Sequence, residues 1–161
     1  MAEDIFELLE RLSIPYERID HPPVYTSEEG RRLVPYHSAK AAKNLFLRDK
    51  KGKRHLLMVV DDQKLVQFHD IERQTGFTHL SMGSSARLER YLGVKPGAVS
   101  LLALINDSEG MVEVLIDRDL WAGEQIQAHP LVNTATVIMA IRDMTKFIEY
   151  SGHSIQFVDV A

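Results

Sequence analysis

The sequence contains no cysteine, which excludes disulfide bonds, thiolate metal sites and a cysteine nucleophile. It also lacks an apolar run of about 18 residues, the length that a membrane-spanning helix requires. The N-terminus, Met1-Ala2-Glu3-Asp4, is acidic and does not have the basic start of a signal peptide. We therefore expect a soluble, cytoplasmic protein that has no membrane partner.

The size and composition are those of one globular domain. The chain has 161 residues, of which 45% are hydrophobic and 26% are charged. A chain of this length buries roughly 70% of the surface that it exposes when unfolded, so it needs no covalent crosslink to fold. No linker, repeat or low-complexity tract interrupts the sequence. We expect a single domain over residues 1–161.

The charge is unevenly distributed along the chain. The net charge of −4 by itself argues against a nucleic-acid partner. However, residues 40–54 include seven Lys or Arg and one Asp, a local charge of +6 that leaves −10 for the rest of the chain. This basic segment can attract an anionic partner. The alternative is a solvated hairpin whose lysines protect a sheet edge from aggregation.

Hydrophobic spacing and turn residues predict an α+β domain. Helices are expected at 4–12, from Thr26 to about Leu33, at 69–74, from Ser84 or Ser85 to Leu92, and from a cap at Asp143 to Tyr150. Single strands are expected at 16–19, 78–82, 134–139 and 155–158. Two hairpins are expected, 44–48 with 55–60 and 98–105 with 111–117. The predicted fold is a mixed, mostly antiparallel sheet with short helices packed on it.

Generic catalytic and metal-binding motifs are absent. The seven histidines do not have the spacing of a zinc site, and no nucleophile elbow or phosphate-binding loop occurs. We expect neither a metal nor a cofactor.

Four ordered segments nevertheless form a recognisable pattern. They are His21-Pro-Pro-Val-Tyr-Thr26, Lys43-Asn-Leu-Phe-Leu47 with the following 48–52, Leu92–Ser100 with 104–107, and His129-Pro-Leu-Val-Asn-Thr-Ala-Thr136. Together they resemble the YbaK/ProX family of aminoacyl-tRNA deacylases, which are free-standing relatives of the editing domain of prolyl-tRNA synthetase. The pattern is most similar to the ProX branch, for which the implied substrate is alanine esterified to proline tRNA.

The resemblance implies roles for individual residues. Lys43 is implied to lie beside the 3′-terminal adenosine and its phosphate, and a lysine ammonium suits a phosphate. Asn44 is implied to orient the ester or a ribose hydroxyl, and His129 to bind the substrate amine or fix the water. The remaining implied substrate-binding residues are His21, Gly97, Ala98, Val99, Ser100, Leu101, Lys50, Lys51 and Arg54. Of these, Leu101 occupies a position where many relatives have proline.

The implied partners are the acceptor end of a mischarged tRNA and prolyl-tRNA synthetase. A synthetase pocket cannot strongly reject an amino acid that is smaller by a methylene, because each such group is worth only about 1–3 kcal/mol. A second, hydrolytic site corrects this error. Hydrolysis of the ester requires an oriented water and a stabilised oxyanion, and the family is implied to use the ribose hydroxyl of the substrate.

Three other functions fit the same sequence. One is a catalytically silent module that binds tRNA 3′ ends or a synthetase. The second is a deacylase for another small amino acid, and the third is a hydrolase of small esters or amides that does not depend on tRNA.

Overall fold

The computed structural model describes residues 4–23 and 39–161. The helix expected from Thr26 to Leu33 lies outside these residues. The strands are β1 (Glu17–Asp20), β2 (Ala42–Arg48), β3 (His55–Asp61), β4 (Ser81–Met82), β5 (Val112–Asp117), β6 (Gln125–Ala128), β7 (Ala135–Ala140) and β8 (Ile155–Val158). The α-helices are α1 (Ile5–Arg11), α2 (Phe68–Thr75), α3 (Ser85–Leu92), α4 (Arg118–Trp121) and α5 (Ile141–Tyr150).

The strands form two sheets. In the three-stranded sheet β7 lies between β1 and β6 and is antiparallel to both. The five-stranded sheet has the order β4-β2-β3-β5-β8, in which β2 is antiparallel to β3 and β4, and β5 is parallel to β3 and β8. This arrangement confirms the predicted α+β class with a mixed, mostly antiparallel sheet.

Local sequence explains why the predicted hairpin and helix α3 form. Gly52 has φ +67° in the turn between β2 and β3, a conformation that glycine adopts without steric cost. Ser84 accepts a hydrogen bond from the Arg87 N–H at 3.2 Å and so caps α3, and Gly93 ends that helix with φ +67°.

The second predicted hairpin is wrong. In place of a strand at 98–105 the structure has two short 3-10 helices, Pro96–Ala98 and Leu101–Asn106. The Ser100 hydroxyl accepts the Leu102 N–H at 3.1 Å and starts the second of them. Residues 101–104 of this helix are buried, and its first five residues are all apolar, so the segment resembles a buried strand. Strand β5 pairs in parallel with β3 and β8 instead.

Other boundaries also differ from the predictions. Strand β4 has only two residues, Ser81–Met82, where 78–82 was expected. Helix α5 begins after Ala140, which provides no side-chain cap, and Asp143 lies in its first turn rather than at the cap. Sequence patterns gave no indication of α4 or β6, which are four residues each.

Two hydrophobic clusters cover the two faces of the five-stranded sheet. The main core includes Leu57 and Val59 of β3, and the second core includes Leu56 and Met58 of the same strand. Strand β3 is therefore buried on both faces, as its continuous apolar sequence requires.

The two sheets join at Lys40, just before β2. Lys40 and Ile126 of β6 form a parallel bridge. The Lys40 N–H donates to the Gln125 carbonyl at 3.2 Å, and the Gln127 N–H donates to the Lys40 carbonyl at 3.0 Å. The first residues of β2 are thereby placed beside the last residues of β6.

Candidate functional site

The ends of β1, β6 and β7 bring His21, His129 and Thr136 together. The β6–β7 register pairs Ala128 with Val137, so the next residue, His129, lies beside Thr136. His21 follows β1, and its Nε2 is 2.8 Å from the Thr136 Oγ1. The His21 Nδ1 is 2.8 Å from the Pro22 carbonyl, which can only accept, so Nδ1 carries a proton. In the neutral ring, Nε2 then accepts the hydroxyl proton of Thr136.

Lys43 lies on the same face of the joined sheets as His129. Each residue comes three positions after the bridged pair Lys40 and Ile126, and the two segments run parallel from there. Side chains alternate along a strand, so both point away from the main core, which contains Ile126 and Ala128. The junction therefore places a cation and two histidines on one face.

The Lys43 ammonium has a fixed partner. Its Nζ donates a hydrogen bond to the backbone carbonyl of Lys64. The Lys64 ammonium is itself held by Asp117 at 3.0 Å, Asp119 at 2.8 Å and the Val160 carbonyl at 2.9 Å. These three contacts fix the backbone that receives Lys43.

Asp117 is the buried centre of this arrangement. Its side chain has no solvent exposure, and its oxygens also accept the N–H groups of Asp61 at 3.2 Å and Asp119 at 3.1 Å. Burial acts to lower the pKa of Lys64, but the hydrogen bonds to Asp119 and Asp117 raise it above its usual value. The Lys64 charge is thus stable at neutral pH.

His129 is held in its neutral form. Burial lowers its pKa below the usual value, and nearby His21 lowers it further, while the Ala135 backbone acts in the opposite direction. Its Nδ1 is buried and has no hydrogen-bond partner in the part of the chain that the structure describes. A neutral imidazole can accept a proton at a ring nitrogen, but the enclosed Nδ1 is not accessible to a substrate in this structure.

This burial predicts a loss of stability in acid. The unfolded chain binds a proton at His129 near pH 6.5, whereas the folded chain does so only at lower pH. The contribution of His129 to the free energy of unfolding is therefore complete above pH 6.5 and declines as the pH falls toward the folded pKa. Urea unfolding at several pH values should show the H129N variant with a pH slope shallower by up to about 1.4 kcal/mol per pH unit.

A histidine on the surface provides the control. His79 is exposed, so the H79N variant should retain the wild-type slope. Equal slopes for the wild-type protein and H129N would show that His129 is not held neutral by the fold.

Asn44 lies on the other face of β2. Because side chains alternate, its amide points away from the Lys43 side and toward the face of Val59 and Phe46, both of which belong to the main core. The predicted pocket wall lies in that same core. Ala98, Val99 and Leu101 are buried members of it, Gly97 is half-buried, and Ser100 is fully buried as a helix cap. Leu101 belongs to a 3-10 helix and not to a strand.

The structure separates the hairpin cations from this junction. Lys50 and Lys51 are exposed at the β2–β3 turn, about 20 Å from Lys43 along the strand. Arg54 is paired with Glu113 through two hydrogen bonds of 2.9 and 2.6 Å, which raise its pKa, and its guanidinium lies 4.0 Å from the ring centre of Phe77. Arg54 is therefore less available to an anion than the two lysines.

Sequence reasoning did not single out Thr136, Lys64 or Asp117. Thr136 ends the quoted segment that begins at His129, which was the available signal. Lys64 and Asp117 are 53 positions apart, and nothing in the sequence links them.

Neither a metal cluster nor a membrane span is found where the structure can be described. Within residues 4–23 and 39–161, no three His, Asp or Glu side chains are grouped so that they could hold a metal ion. The helices of the same ranges are too short and too polar to cross a bilayer.

Comparison with known proteins relates this arrangement to one family. Residues 21–147 match the aminoacyl-tRNA editing domain. The prolyl-tRNA editing protein ProX of Acetoanaerobium sticklandii is 36% identical over 152 residues, covering 94% of this chain and 93% of that protein. Prolyl-tRNA synthetase associated domain-containing protein 1 of Danio rerio is 35% identical over 156 residues, covering 96% and 84% of the two chains.

The fold is also found among solved structures. A proposed trans-editing enzyme for prolyl tRNA synthetase superimposes with a TM-score of 0.71 at 15% identity, over 99% of this chain and 98% of that one. At this identity the similarity establishes the fold alone.

Proposed function

This chain belongs to the aminoacyl-tRNA editing domain family, and from this membership we propose that it is a trans-editing hydrolase acting on mischarged tRNA. The proposed substrate is alanyl-tRNA(Pro), and the reaction is hydrolysis of the ester that joins alanine to the terminal ribose. The proposed partners are the acceptor end of the tRNA and prolyl-tRNA synthetase, in the cytoplasm.

The observation that carries the proposal is the junction of the two sheets. Lys43, His129 and His21 lie on one face there, and Asn44, the next residue of β2, is half-buried on the opposite face. The Lys43 ammonium can exchange the Lys64 carbonyl for a phosphate oxygen of the terminal nucleotide. A neutral histidine can accept a hydrogen bond from the attacking water or a ribose hydroxyl.

The proposed chemistry requires no protein nucleophile. Water attacks the ester carbonyl, the bond to the ribose oxygen breaks, and the ribose hydroxyl adjacent to the ester assists proton transfer. Because an ester is intrinsically reactive, fixing the water and the carbonyl supplies much of the acceleration. The proposal includes a reaction independent of metal ions, so a chelator should leave the rate unchanged.

Selection of the amino acid is proposed to depend on the size of the space beside Gly97, Ala98, Val99, Ser100 and Leu101. Ala98, Val99 and Leu101 are closely packed, with 8% exposure or less. A wall of this kind admits a small side chain, and admitting a larger one would require the core to shift.

A panel of mischarged tRNAs tests the function. Purified protein should release alanine from alanyl-tRNA(Pro) faster than it hydrolyses correctly charged prolyl-tRNA(Pro). Binding without turnover of any substrate would identify a silent tRNA-binding module. Preferred release of another small amino acid would replace alanine in the proposed specificity. Equal turnover of free aminoacyl esters would indicate a hydrolase that does not require tRNA.

The turn lysines predict a salt-dependent affinity. Lys50 and Lys51 are exposed. They lie about 20 Å from Lys43 along the strand, a distance that corresponds to several nucleotides of RNA. The double variant K50A/K51A should raise KM by roughly tenfold at low salt and leave kcat within about twofold of wild type. The slope of log affinity against log salt should decrease by about 2, because two phosphate contacts are lost.

Lysines elsewhere on the surface distinguish this effect from a general loss of charge. The double variant K95A/K146A removes the same charge at exposed positions on other segments of the chain. If it changes KM and the salt slope as much as K50A/K51A, the hairpin is not a specific RNA contact.

A further inference from the structure

The backbone N–H and carbonyl groups of β2 point alternately toward β3 and toward the outer edge of the strand. The Ala41 carbonyl accepts the Asp62 N–H at 3.2 Å, and the Asp49 N–H donates to the Arg54 carbonyl at 3.1 Å. Odd-numbered residues of this segment therefore direct both backbone groups toward β3. In an antiparallel ladder the alternate residues direct theirs to the opposite side. The even-numbered residues of β2 thus face the outer edge.

Two neighbours occupy this edge at its ends. Before β2, Lys40 is bonded to β6. Near the end of β2, the Phe46 carbonyl accepts the Gly83 N–H at 2.8 Å, next to the pairing with β4. Between these points, no hydrogen bond from the described residues reaches the backbone groups of Ala42 and Asn44. Among the residues that the structure describes, this stretch of edge beside Lys43 is therefore unpaired.

Strand β6 separates from this edge at the position where Lys43 and His129 lie side by side, each three residues after the bridged pair. The bridge at Lys40 and Ile126 is isolated, and β6 ends at Ala128. His129 is followed by Pro130, which has no N–H to donate, and Leu131 turns the chain with φ +67°. Within residues 4–23 and 39–161, the place where β6 parts from β2 is therefore a cleft with an unpaired strand edge on one side.

An aminoacyl ester has the hydrogen-bonding groups of one strand residue. Its α-ammonium donates and its carbonyl accepts, and the two are joined through one α-carbon. A residue facing the outer edge presents the complementary pair, an N–H and a carbonyl on the same side. In an antiparallel hydrogen-bonded pair, two such residues exchange both bonds. Extended ligands commonly add to exposed sheet edges in this way.

We propose that the aminoacyl group of the substrate pairs with the open edge of β2 opposite Asn44. This inference rests on the proposed function and deepens it. The Asn44 N–H donates to the ester carbonyl and stabilises the negative charge that develops there as water attacks. The Asn44 carbonyl accepts from the α-ammonium. Asn44 is chosen over Ala42 because it lies farther along β2 from the bridge at Lys40.

The pairing also orients the amino acid side chain. Side chains of directly opposed strand residues share a face of the sheet. The substrate side chain would therefore lie next to the Asn44 amide, on the face of the main core that contains Ala98 and Leu101. The ester and its ribose remain at the cleft, within reach of Lys43 and His129 on the other face. The amino acid side chain is thus selected on one face of β2, and the RNA is bound on the other.

Proline substitution tests the pairing directly. Proline removes a backbone N–H, and it is tolerated in a strand where that N–H does not take part in a ladder. The N44P variant should lose about 10²-fold in kcat/KM on alanyl-tRNA(Pro), the effect of removing one oxyanion donor. The N44A variant keeps the N–H and should lose at least tenfold less. The A42P variant removes an N–H from the same edge, two residues away, and should stay within about threefold of wild type.

A substrate variant makes the test independent of the folding of N44P. Propionyl-tRNA(Pro) has the size of the alanyl ester but lacks the ammonium. The wild-type protein should accelerate its hydrolysis, relative to the uncatalysed rate of the same ester, at least tenfold less than that of alanyl-tRNA(Pro).

The outcomes separate this inference from the proposed function. Equal acceleration of the two esters would overturn the pairing, as would a folded N44P with wild-type activity or an A42P with the same loss as N44P. In each of these cases the deacylase function still stands. Only failure of the wild-type protein to hydrolyse any aminoacyl-tRNA overturns the function itself.

Discussion

Replacement of Lys43 by alanine is expected to lower kcat/KM for alanyl-tRNA(Pro) by about 10²-fold or more. The Lys43 ammonium lies on the same face as His129, at the opening between β2 and β6, and its partner is the Lys64 carbonyl. A neutral carbonyl binds an ammonium less strongly than a phosphate oxygen does. Lys43 can therefore release the Lys64 carbonyl and bind a phosphate when RNA binds. Without it, the terminal nucleotide would not be held where the ester meets the edge of β2.

Two further variants show whether the loss is specific. K146A removes a lysine exposed on α5 and should retain wild-type activity. K43R keeps the charge but spreads it over a planar group with a different geometry, and it should recover only part of the activity. Thermal unfolding of K43A should remain close to wild type, because the substitution removes only one hydrogen bond. Full activity in K43A would rule out the proposed role.

The hairpin that carries Lys43 was predictable because its signals are local. Two apolar runs flank a turn that contains Gly52, and the structure has β2 and β3 with Gly52 in the left-handed region. Helix α3 was predictable for the same reason, since Ser84 and Gly93 mark its two ends. In both cases the determining residues lie within a few positions of each other.

The segment 98–105 was mispredicted because its surroundings determine its conformation. Leu101–Leu104 is an uninterrupted apolar run, and its periodicity cannot distinguish a buried strand from a buried 3-10 helix. The helix is selected by contacts with α3 and α5, of which α5 is distant in sequence. The two four-residue elements α4 and β6 were missed because they are too short to show a period.

The site required both kinds of information. The resemblance to a family implied Lys43, Asn44 and His129, but the pairing of strands decides which side chains share a face. Alternation along β2 turns the Asn44 side chain away from Lys43, and only the observed hydrogen bonds show that its backbone faces the cleft. The partner of Lys43 depends on a contact across 21 positions, for which the sequence contains no local signal.

The buried carboxylate of Asp117 provides the second large expected effect. Asp117 accepts the Lys64 ammonium and two backbone N–H groups, and its side chain is fully buried. The D117N variant removes the negative charge and leaves Lys64, whose side chain is only 17% exposed, without its buried counter-ion. Loss of one partner of a buried ion pair costs about 3–5 kcal/mol in the free energy of unfolding. We expect D117N to lose about 3 kcal/mol, measured by urea unfolding at pH 7.5.

Asp119 and Lys64 provide the matched comparisons. The Asp119 carboxylate binds the same ammonium but is 79% exposed, so the D119N variant should cost less than about 1 kcal/mol. The K64M variant removes the cation, and the double variant D117N/K64M should cost clearly less than the sum of the two single variants, because neither partner is then left charged and buried. Additive costs would show that Asp117 stabilises the fold without acting through Lys64.

The same variants connect stability to catalysis through one backbone carbonyl. Lys64 is anchored by Asp117, Asp119 and Val160, and its carbonyl receives the Lys43 ammonium. At a temperature where D117N remains folded, loosening of this anchor should displace Lys43 and lower kcat/KM by about tenfold or more. In the K43A background this additional loss should disappear, because Lys43 is no longer there to be positioned. If D117N lowered activity equally with and without Lys43, Asp117 would affect the reaction by another route.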